Sequence, residues 1–227
     1  MNPHSEEVFL TKNQVTQSLC DFLEPHLNQQ GFKLVKYRSL FIKKTDFGSL
    51  EFSVNTMSYW PKKQEVNFPI HVSIHAINQV RKKFFKNIEK EDAIMYKWLV
   101  LPNSNELKFK ELYTEEDLEK AKEEALRLFE EQAIPFFEQY SQLDQVIEYA
   151  SKIKNSHFMS VLLIALKQAN DERYLDYRNE IVRYLKDCAS SKTEKGQERK
   201  QVIFDLIKHL DQLIVANQNK RRAENAA

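Results

Sequence analysis

The sequence predicts an α+β fold, in which an N-terminal helix packs on an antiparallel sheet of four to five strands and an irregular helical bundle follows. Three patterns support this prediction. Apolar residues recur every three or four positions in residues 11–30, alternate with polar residues at 50–54 and 68–76, and return to helical spacing after residue 114. We therefore expect a helix and sheet subdomain at 1–113, a helical subdomain at 114–216 and a disordered tail at 217–227.

The first helix is predicted from the apolar residues spaced by three and four between Val15 and Leu27. Gly31 follows the last periodic residue and suits the left-handed position that ends many helices. Pro25 lies inside the pattern and predicts a kink or an interruption, because proline lacks the amide hydrogen that a helix interior needs.

Strands are predicted where the alternation has a period of two and turn residues bound it. Residues 45–48 form a turn that joins the first two strands into a hairpin. The predicted strands are 32–44, 50–60, 68–76, 95–101 and 107–113. One face of the second and third strands carries the polar residues Glu51, Asn55, His71 and His75. This face is either a ligand-binding patch or the solvated side of the sheet.

The second half of the chain reads as helices. Thr114 is a helix N-cap followed by acidic residues, which the helix dipole favours in a first turn, and this long helix is expected to end near Ile134 and Pro135. Shorter amphipathic segments follow, and Ser190–Gly196 reads as a polar loop. Short connections between these segments predict antiparallel neighbours.

Composition limits the classes of partner. The 227 residues carry a net charge of only +1, so no overall field draws the chain to nucleic acid. The charge is nevertheless segregated. Residues 31–110 contain 15 Lys and Arg against 7 Asp and Glu, a net of +8, and residues 111–150 contain 3 against 12, a net of −9.

The sequence also predicts a cytoplasmic protein without a membrane partner. Residues 1–10 contain Glu6 and Glu7 and no apolar run of signal-peptide length, and the apolar stretch Phe158–Leu166 is shorter than the roughly 20 residues of a spanning helix. Cys20 and Cys188 are far apart in sequence and read as free buried thiols.

No catalytic motif is found, so we predict neither an enzyme, nor a cofactor, nor a metal site. Three isolated glycines cannot build a phosphate-binding glycine loop. His71 and His75 are four residues apart on a predicted strand, about 13 Å, which is too far to share one metal ion. Asp92 with Glu106 and Lys108 imitates the spacing of a metal-dependent nuclease, and this remains the least favoured alternative.

Two charged clusters are candidate binding surfaces. The acidic helix presents Glu115, Glu116, Glu119, Glu123 and Glu124, and it is the first choice for contact with a protein partner. The basic alternative is a nucleic-acid surface in the sheet region, where phosphate contacts would be joined by aromatic stacking on neighbouring phenylalanines. Its candidate residues are Arg81, Lys82, Lys83 and Lys86.

Residues 15–140 resemble an uncharacterised family of small bacterial α+β domains. The resemblance lies in the run from Asp21 to Lys33, which ends in Gly-Phe-Lys, in Phe41–Asp46 with its basic Lys-Thr-Asp turn, and in Ile134–Phe137. Some domains of this kind resemble immunity proteins, which bind and block toxins. The resemblance implies the α+β fold and transfers no catalytic residue.

The sequence thus favours a non-enzymatic cytoplasmic binding protein, most plausibly an immunity or antitoxin-like inhibitor of a toxin protein. Missing catalytic motifs, segregated charge and the resemblance support this hypothesis. A nucleic-acid-binding protein that uses the basic sheet region is the alternative.

Overall fold

A computed structural model describes residues 10–59, 63–86, 92–99, 110–112, 114–187 and 193–224, and it confirms the predicted α+β fold. These residues form two compact units. Unit 1 contains the described residues up to Ser73 and those from Met95 to Gln139, and unit 2 contains those from Ile74 to Ile94 and from Tyr140 onward. The division differs from the predicted boundary at residue 113, because the helix after Thr114 packs against the first helix of unit 1.

Unit 1 begins with helix α1 (Lys12–Gln29). The hydroxyl of Thr11 accepts a hydrogen bond from the amide of Gln14, and the Gln14 side chain accepts one from the amide of Thr11, so a capping box starts the helix. The interruption predicted at Pro25 does not occur, because the fully buried Leu23 and Leu27 hold the turns on either side against the core. Gly31 has a φ of 83°, the predicted left-handed conformation.

In the described part of unit 1, seven strands form the sheet, in the order β1-β2-β3-β5-β4, and β6 and β7 also pair with β5. The strands are β1 (Lys33–Val35), β2 (Leu40–Lys44), β3 (Gly48–Ser53), β4 (Asn55–Tyr59), β5 (Lys63–Ile74), β6 (Met95–Leu99) and β7 (Lys110–Leu112). The hairpin predicted at residues 45–48 is confirmed, since Lys44 pairs with Ser49. Parts of the predicted strands, at 60, 100–101, 107–109 and 113, lie outside the described residues.

The strand count exceeds the prediction for two reasons. The single strand expected at 32–44 is divided into β1 and β2 by a short 3-10 helical turn at Lys36–Arg38, and the one expected at 50–60 is broken at Val54 into β3 and β4. β5 begins at Lys63 rather than at Phe68. β5 also ends earlier than predicted, because His75 is already the first residue of helix α2 (His75–Arg81).

The core of unit 1 lies between one face of the sheet and the helical segments. Phe52 stacks on Phe68 across β3 and β5 with ring centroids 5.6 Å apart. Phe129 stands edge-on to Phe52 and to Phe32, at 5.3 Å from each. These perpendicular and stacked contacts are the geometries that aromatic rings prefer, so the cluster joins strands to helices at low strain.

Phe129 belongs to a helical path that is longer than predicted. Helix α3 (Glu115–Leu128) continues through a five-residue π-helical turn (Phe129–Ala133) into helix α4 (Ile134–Tyr140). The end predicted near Pro135 is therefore wrong. Pro135 is the second residue of α4 and follows the π-helical turn directly, and the helical path continues past it to Tyr140.

Unit 2 is helical and is organised around helix α6 (Ser156–Gln168). Its residues Phe158–Leu166 are all buried, and α6 contacts α2 and the other three helices of the unit. These are α5 (Leu143–Ser151), α7 (Tyr174–Asp187) and α8 (Glu194–Glu224). The backbone of α8 is helical to Glu224, which differs from the disordered tail predicted from residue 217. Among the described helices, none combines the length and the apolar character that crossing a membrane requires.

We expect Phe52→Ala to lower the free energy of unfolding of unit 1 by about 3 to 5 kcal/mol, because it removes a fully buried ring that contacts both Phe68 and Phe129. Chemical denaturation followed by circular dichroism measures the change. Tyr37→Ala is the matched control, since the Tyr37 side chain is 88% exposed. Equal effects of the two variants would contradict the assigned core.

Candidate functional site

The face of the sheet opposite the phenylalanine cluster carries a row of side chains that crosses five strands. Lys33 pairs with Ile42, Ile42 pairs with Glu51, and His71 pairs with Tyr96. Glu51 and His71 join the two halves of the row, with Glu51 Oε2 3.7 Å from His71 Nδ1. Directly opposed residues of antiparallel strands point to the same face, so these side chains share one surface.

Glu51 is the unusual member of this row. Its side chain is only 9% exposed, and in the described part of the chain no Lys or Arg pairs with it. His71, at 35% exposure, places its Nδ1 3.7 Å from this carboxylate. Burying a carboxylate costs free energy unless a cation or hydrogen-bond donors compensate it, so this position favours the arrival of a positive charge.

Two large aromatic side chains lie exposed beside the Glu51 and His71 pair. Tyr96 and Trp98 are on β6, two residues apart and therefore on one face, and they are 53% and 44% exposed. Trp98 pairs with Pro69 of β5. We call Glu51, His71, Tyr96 and Trp98 the open patch.

The open patch is confined to one end of its face. Leu40 and Ser49 point to the same side of the sheet through their pairing with Ser53 and Lys44, yet both are buried. Exposed Tyr and Trp side chains with a partly polar neighbourhood are the composition that protein-binding surfaces favour. The patch therefore stands out from the rest of the face.

The structure separates the polar residues that the sequence places on one face. Glu51 and His71 do lie together, whereas the amide of Asn55 donates to Asn67 Oδ1 at 3.3 Å at the β4 end of the sheet. His75 belongs to α2 and to unit 2, so its predicted position on the strand is wrong. The alternation continued in sequence across the strand end, which is why the helix start was missed.

The acidic helix is α3; of its candidate residues, Glu115, Glu116, Glu119 and Glu123 are exposed, whereas the Glu124 side chain is only 15% exposed. Leu118, Ala121, Ala125 and Leu128 form its buried face. Several of its carboxylates already have partners within the helix: Glu116 pairs with Lys120, Glu119 with Lys122, and Glu124 with Arg127 at 3.9 Å. Glu115 and Glu123 are exposed, and no ion pair joins either of them to another described residue. Exposed ion pairs of this kind contribute little to stability. They neutralise part of the negative charge of α3, and the helix as a whole stays acidic.

The helix and the open patch are on opposite sides of the sheet. Phe129, which continues α3, contacts Phe52 and therefore lies on the core face. Lys97, on the same side of β6 as the core residue Met95, donates to Gln132 Oε1 at 3.4 Å. One small binding surface cannot combine α3 with the open patch.

The first cation of the basic run at 81–86, Arg81, is buried inside unit 2. Arg81 is 3% exposed, while Lys82, Lys83 and Lys86 are exposed. Burial lowers the pKa of Arg81 to about 10, and Asp92 opposes that shift. Arg81 is therefore not available to a nucleic-acid phosphate, and the predicted basic surface shrinks to three lysines in this segment.

Arg81 instead holds a polar network inside unit 2. Its Nε donates to Ser160 Oγ at 3.2 Å, and its two terminal nitrogens bond Asn78 Oδ1 at 3.2 Å and His157 Nδ1 at 3.0 Å. His157 Nε2 lies 3.1 Å from the carbonyl of Ile94. A neutral His157 with its proton on Nε2 satisfies both contacts, since Nδ1 then accepts from Arg81 and Nε2 donates to Ile94. The network ties α2 and residue 94 to the start of α6.

Sequence reasoning missed this network, although a signal was present. Ile77 and Arg81 are four residues apart, so a helix at 75–81 places them on one face. Interpreting residues 81–86 as a run of charges leaves out the helical spacing between Ile77 and Arg81.

Some of the remaining candidate residues lie outside the described part of the chain. Glu106, Lys108 and Cys188 lie outside the described residues, so the nuclease pattern stays a prediction. Across the described ranges, no three His, Cys, Asp or Glu side chains are placed to hold a metal ion together. Cys20 is a free buried thiol, as predicted, and burial raises its pKa to about 11, which suppresses thiolate reactivity.

The chain matches no known family model, and no curated protein or solved structure shows significant similarity to it. The resemblance to small bacterial domains therefore stays a prediction.

We expect unit 2 to lose stability as the pH falls below about 6.5. Burial first, and then the charge of Arg81, lower the pKa of His157 from its ordinary value of 6.5. The unfolded chain therefore takes up the proton first, so the stabilisation by neutral His157 is complete above pH 6.5 and declines below it.

The free energy of unfolding, measured by denaturation at several pH values between 5 and 8, tests this expectation. His157→Gln removes the titrating group while keeping a donor and an acceptor, and we expect a weaker pH dependence from it. His26→Gln, at an exposed position of α1, is the matched control. An unchanged pH dependence in His157→Gln would contradict the role of the network.

Proposed function

We propose that this chain is a binding protein whose open patch receives a basic segment of a protein partner. The observation that carries the proposal is a carboxylate, Glu51, that is nine-tenths buried without a Lys or Arg partner among the described residues, beside the exposed rings of Tyr96 and Trp98. An inhibitor that blocks a toxin, which the family resemblance implies, is one form of this function.

The chemistry of the patch selects a cation. An aromatic face attracts Lys or Arg because its quadrupole is negative above the ring, and a buried carboxylate attracts the same groups by charge. Glu51 and Tyr96 flank His71 in the row, so they are about two strand spacings, roughly 10 Å, apart. An extended arginine side chain spans much of that distance, with its stem over His71 and its guanidinium at Glu51.

The same features oppose a nucleic acid at this place. Exposed aromatic rings can stack bases, but a single strand also needs cations along its backbone. Within the open patch the fixed charge is the carboxylate of Glu51. The exposed Lys33 lies at the far end of the row, four strands from Tyr96, so phosphates near the rings would meet Glu51 first.

The row also has a direction that limits which partners fit. Lys33 gives one end a positive charge, and Glu51 with the two rings gives the other end an affinity for cations. A partner segment that carries Arg or Lys at one end and an acidic residue several positions away complements both ends. Complementary charge of this kind favours one register over others.

Selection from a library of random peptides displayed on phage tests the proposal. We expect the immobilised protein to enrich peptides that contain Arg or Lys. Glu51→Gln and Trp98→Ala should each weaken binding of those peptides about tenfold, because each removes one of the cation-attracting groups. Binding is measured on synthetic copies of the enriched peptides by fluorescence anisotropy.

Two controls locate the site. Tyr37→Ala removes a more exposed aromatic ring away from the patch, and Glu123→Lys reverses a charge on α3, on the other side of the sheet. Both should leave peptide affinity unchanged. Loss of binding in Glu123→Lys alone would move the site to the acidic helix. Binding of single-stranded DNA that depends on Tyr96 and Trp98 would replace a protein partner with a nucleic acid.

A further inference from the structure

Unit 2 contains a cavity of about 320 Å³ between α6, α7 and α8. Its volume is at the lower end of the range of small-molecule sites, about 300 to 1,000 Å³. It lies entirely within unit 2 and shares no residue with the open patch.

The lining of this cavity is strongly cationic. Lys154, Lys195, Arg199 and Lys200 all line it, and the described residues contribute no acidic side chain to the lining. Lys154 is already paired with Glu180 at 3.2 Å. In contrast, no carboxylate of the described residues forms an ion pair with Lys195 or Arg199. Among the described residues, Lys195 and Arg199 are therefore two cations of the lining that no carboxylate neutralises.

Two helix starts border the same cavity. Asn155 caps α6 by accepting from the amide of Phe158, and Thr193 accepts from the amide of Gly196 in the first turn of α8. Asn155, Thr193 and Gly196 all line the cavity. These caps already accept from the amides of Phe158 and Gly196, so what the two helix starts add to the four cations is the positive end of two helix dipoles.

The inner wall of the cavity is apolar. Met159 and Ile203 are almost fully buried and contribute aliphatic surface, and Tyr184 contributes an aromatic ring, with Lys154 Nζ over one face at 5.6 Å from its centroid. A lone inorganic anion would use the cationic rim and leave this wall unoccupied. A ligand with a charged group at one end and a flat or apolar body matches both parts.

We propose that this cavity binds a small phosphate ester with a planar body, of the size of a nucleoside monophosphate. The phosphate group lies at Lys195, Arg199 and the helix starts, where charge-assisted hydrogen bonds hold it. The planar body packs against Tyr184 and Met159. This binding site is independent of the partner-binding function proposed for unit 1.

Titration calorimetry with adenosine 5′-monophosphate, inorganic phosphate and adenosine tests the proposal on the full chain. We expect the monophosphate to bind more tightly than inorganic phosphate, since only the ester uses the apolar wall, and more tightly than adenosine, which lacks the charge. Arg199→Gln and Lys195→Gln should each weaken monophosphate binding about tenfold, the loss expected for one charge-assisted contact. Lys208→Gln, at an exposed position on the same helix and outside the cavity, should not change it.

Several results would overturn the proposal. Failure of both phosphate compounds to bind would remove the anion site. Equal affinity for adenosine and its monophosphate would show that the cavity does not recognise phosphate. Equal losses in Arg199→Gln and Lys208→Gln would show a diffuse charge effect, and a much higher affinity for a single-stranded oligonucleotide would assign the surface to nucleic acid instead. Thermal unfolding of each variant, measured alongside, shows that the fold is retained.

Discussion

The arrangement of unit 1 depends on one long strand, β5. Its twelve residues pair with β4 and β7 in the first half and with β6 in the second, and β3 lies beside it in the sheet. Because successive residues point to opposite faces, the same strand sends Phe68, Ile70 and Val72 into the core and His71 to the other side. A shift of one residue in its register would bury His71 and expose the core side chains, so the apolar face fixes the position of the open patch.

The alternation of apolar and polar residues along the strands sets how much of this structure the sequence predicts. It identifies β3 and the second half of β5 correctly because one face is uniformly apolar. It does not mark the end of β5, since Ile74 and Ala76 continue the pattern into a helix. β6 was predicted as a strand, but Met95, Tyr96, Trp98 and Leu99 place apolar groups on both faces. Only the structure shows that the two aromatic rings are the exposed ones.

A run of charged residues in the sequence does not show which of its members face solvent. A count of Lys and Arg treats each residue as solvated, whereas helix geometry decides which of them turns inward. Arg81 is in the same sequence run as Lys82 and Lys83, yet α2 directs it toward Ser160 and His157. A buried guanidinium is tolerated because three side chains accept its hydrogen bonds, and these partners come from sequence positions up to 79 residues away. Local sequence does not contain that information.

The two proposed sites show that the net charge of a segment does not predict the charge of a binding surface. Residues 31–110 have a net charge of +8, yet the buried charge at the open patch is the carboxylate of Glu51. The chain after residue 150 has a net charge of only +5 over 77 residues, and it contains a cavity to which the described residues contribute four cations and no acid. Short-range interactions dominate in both places, since exposed charges more than about 10 Å apart are screened at physiological ionic strength. The few groups that share a surface therefore decide which ligand each proposed site would bind. Those groups favour a cation in unit 1 and an anion in unit 2.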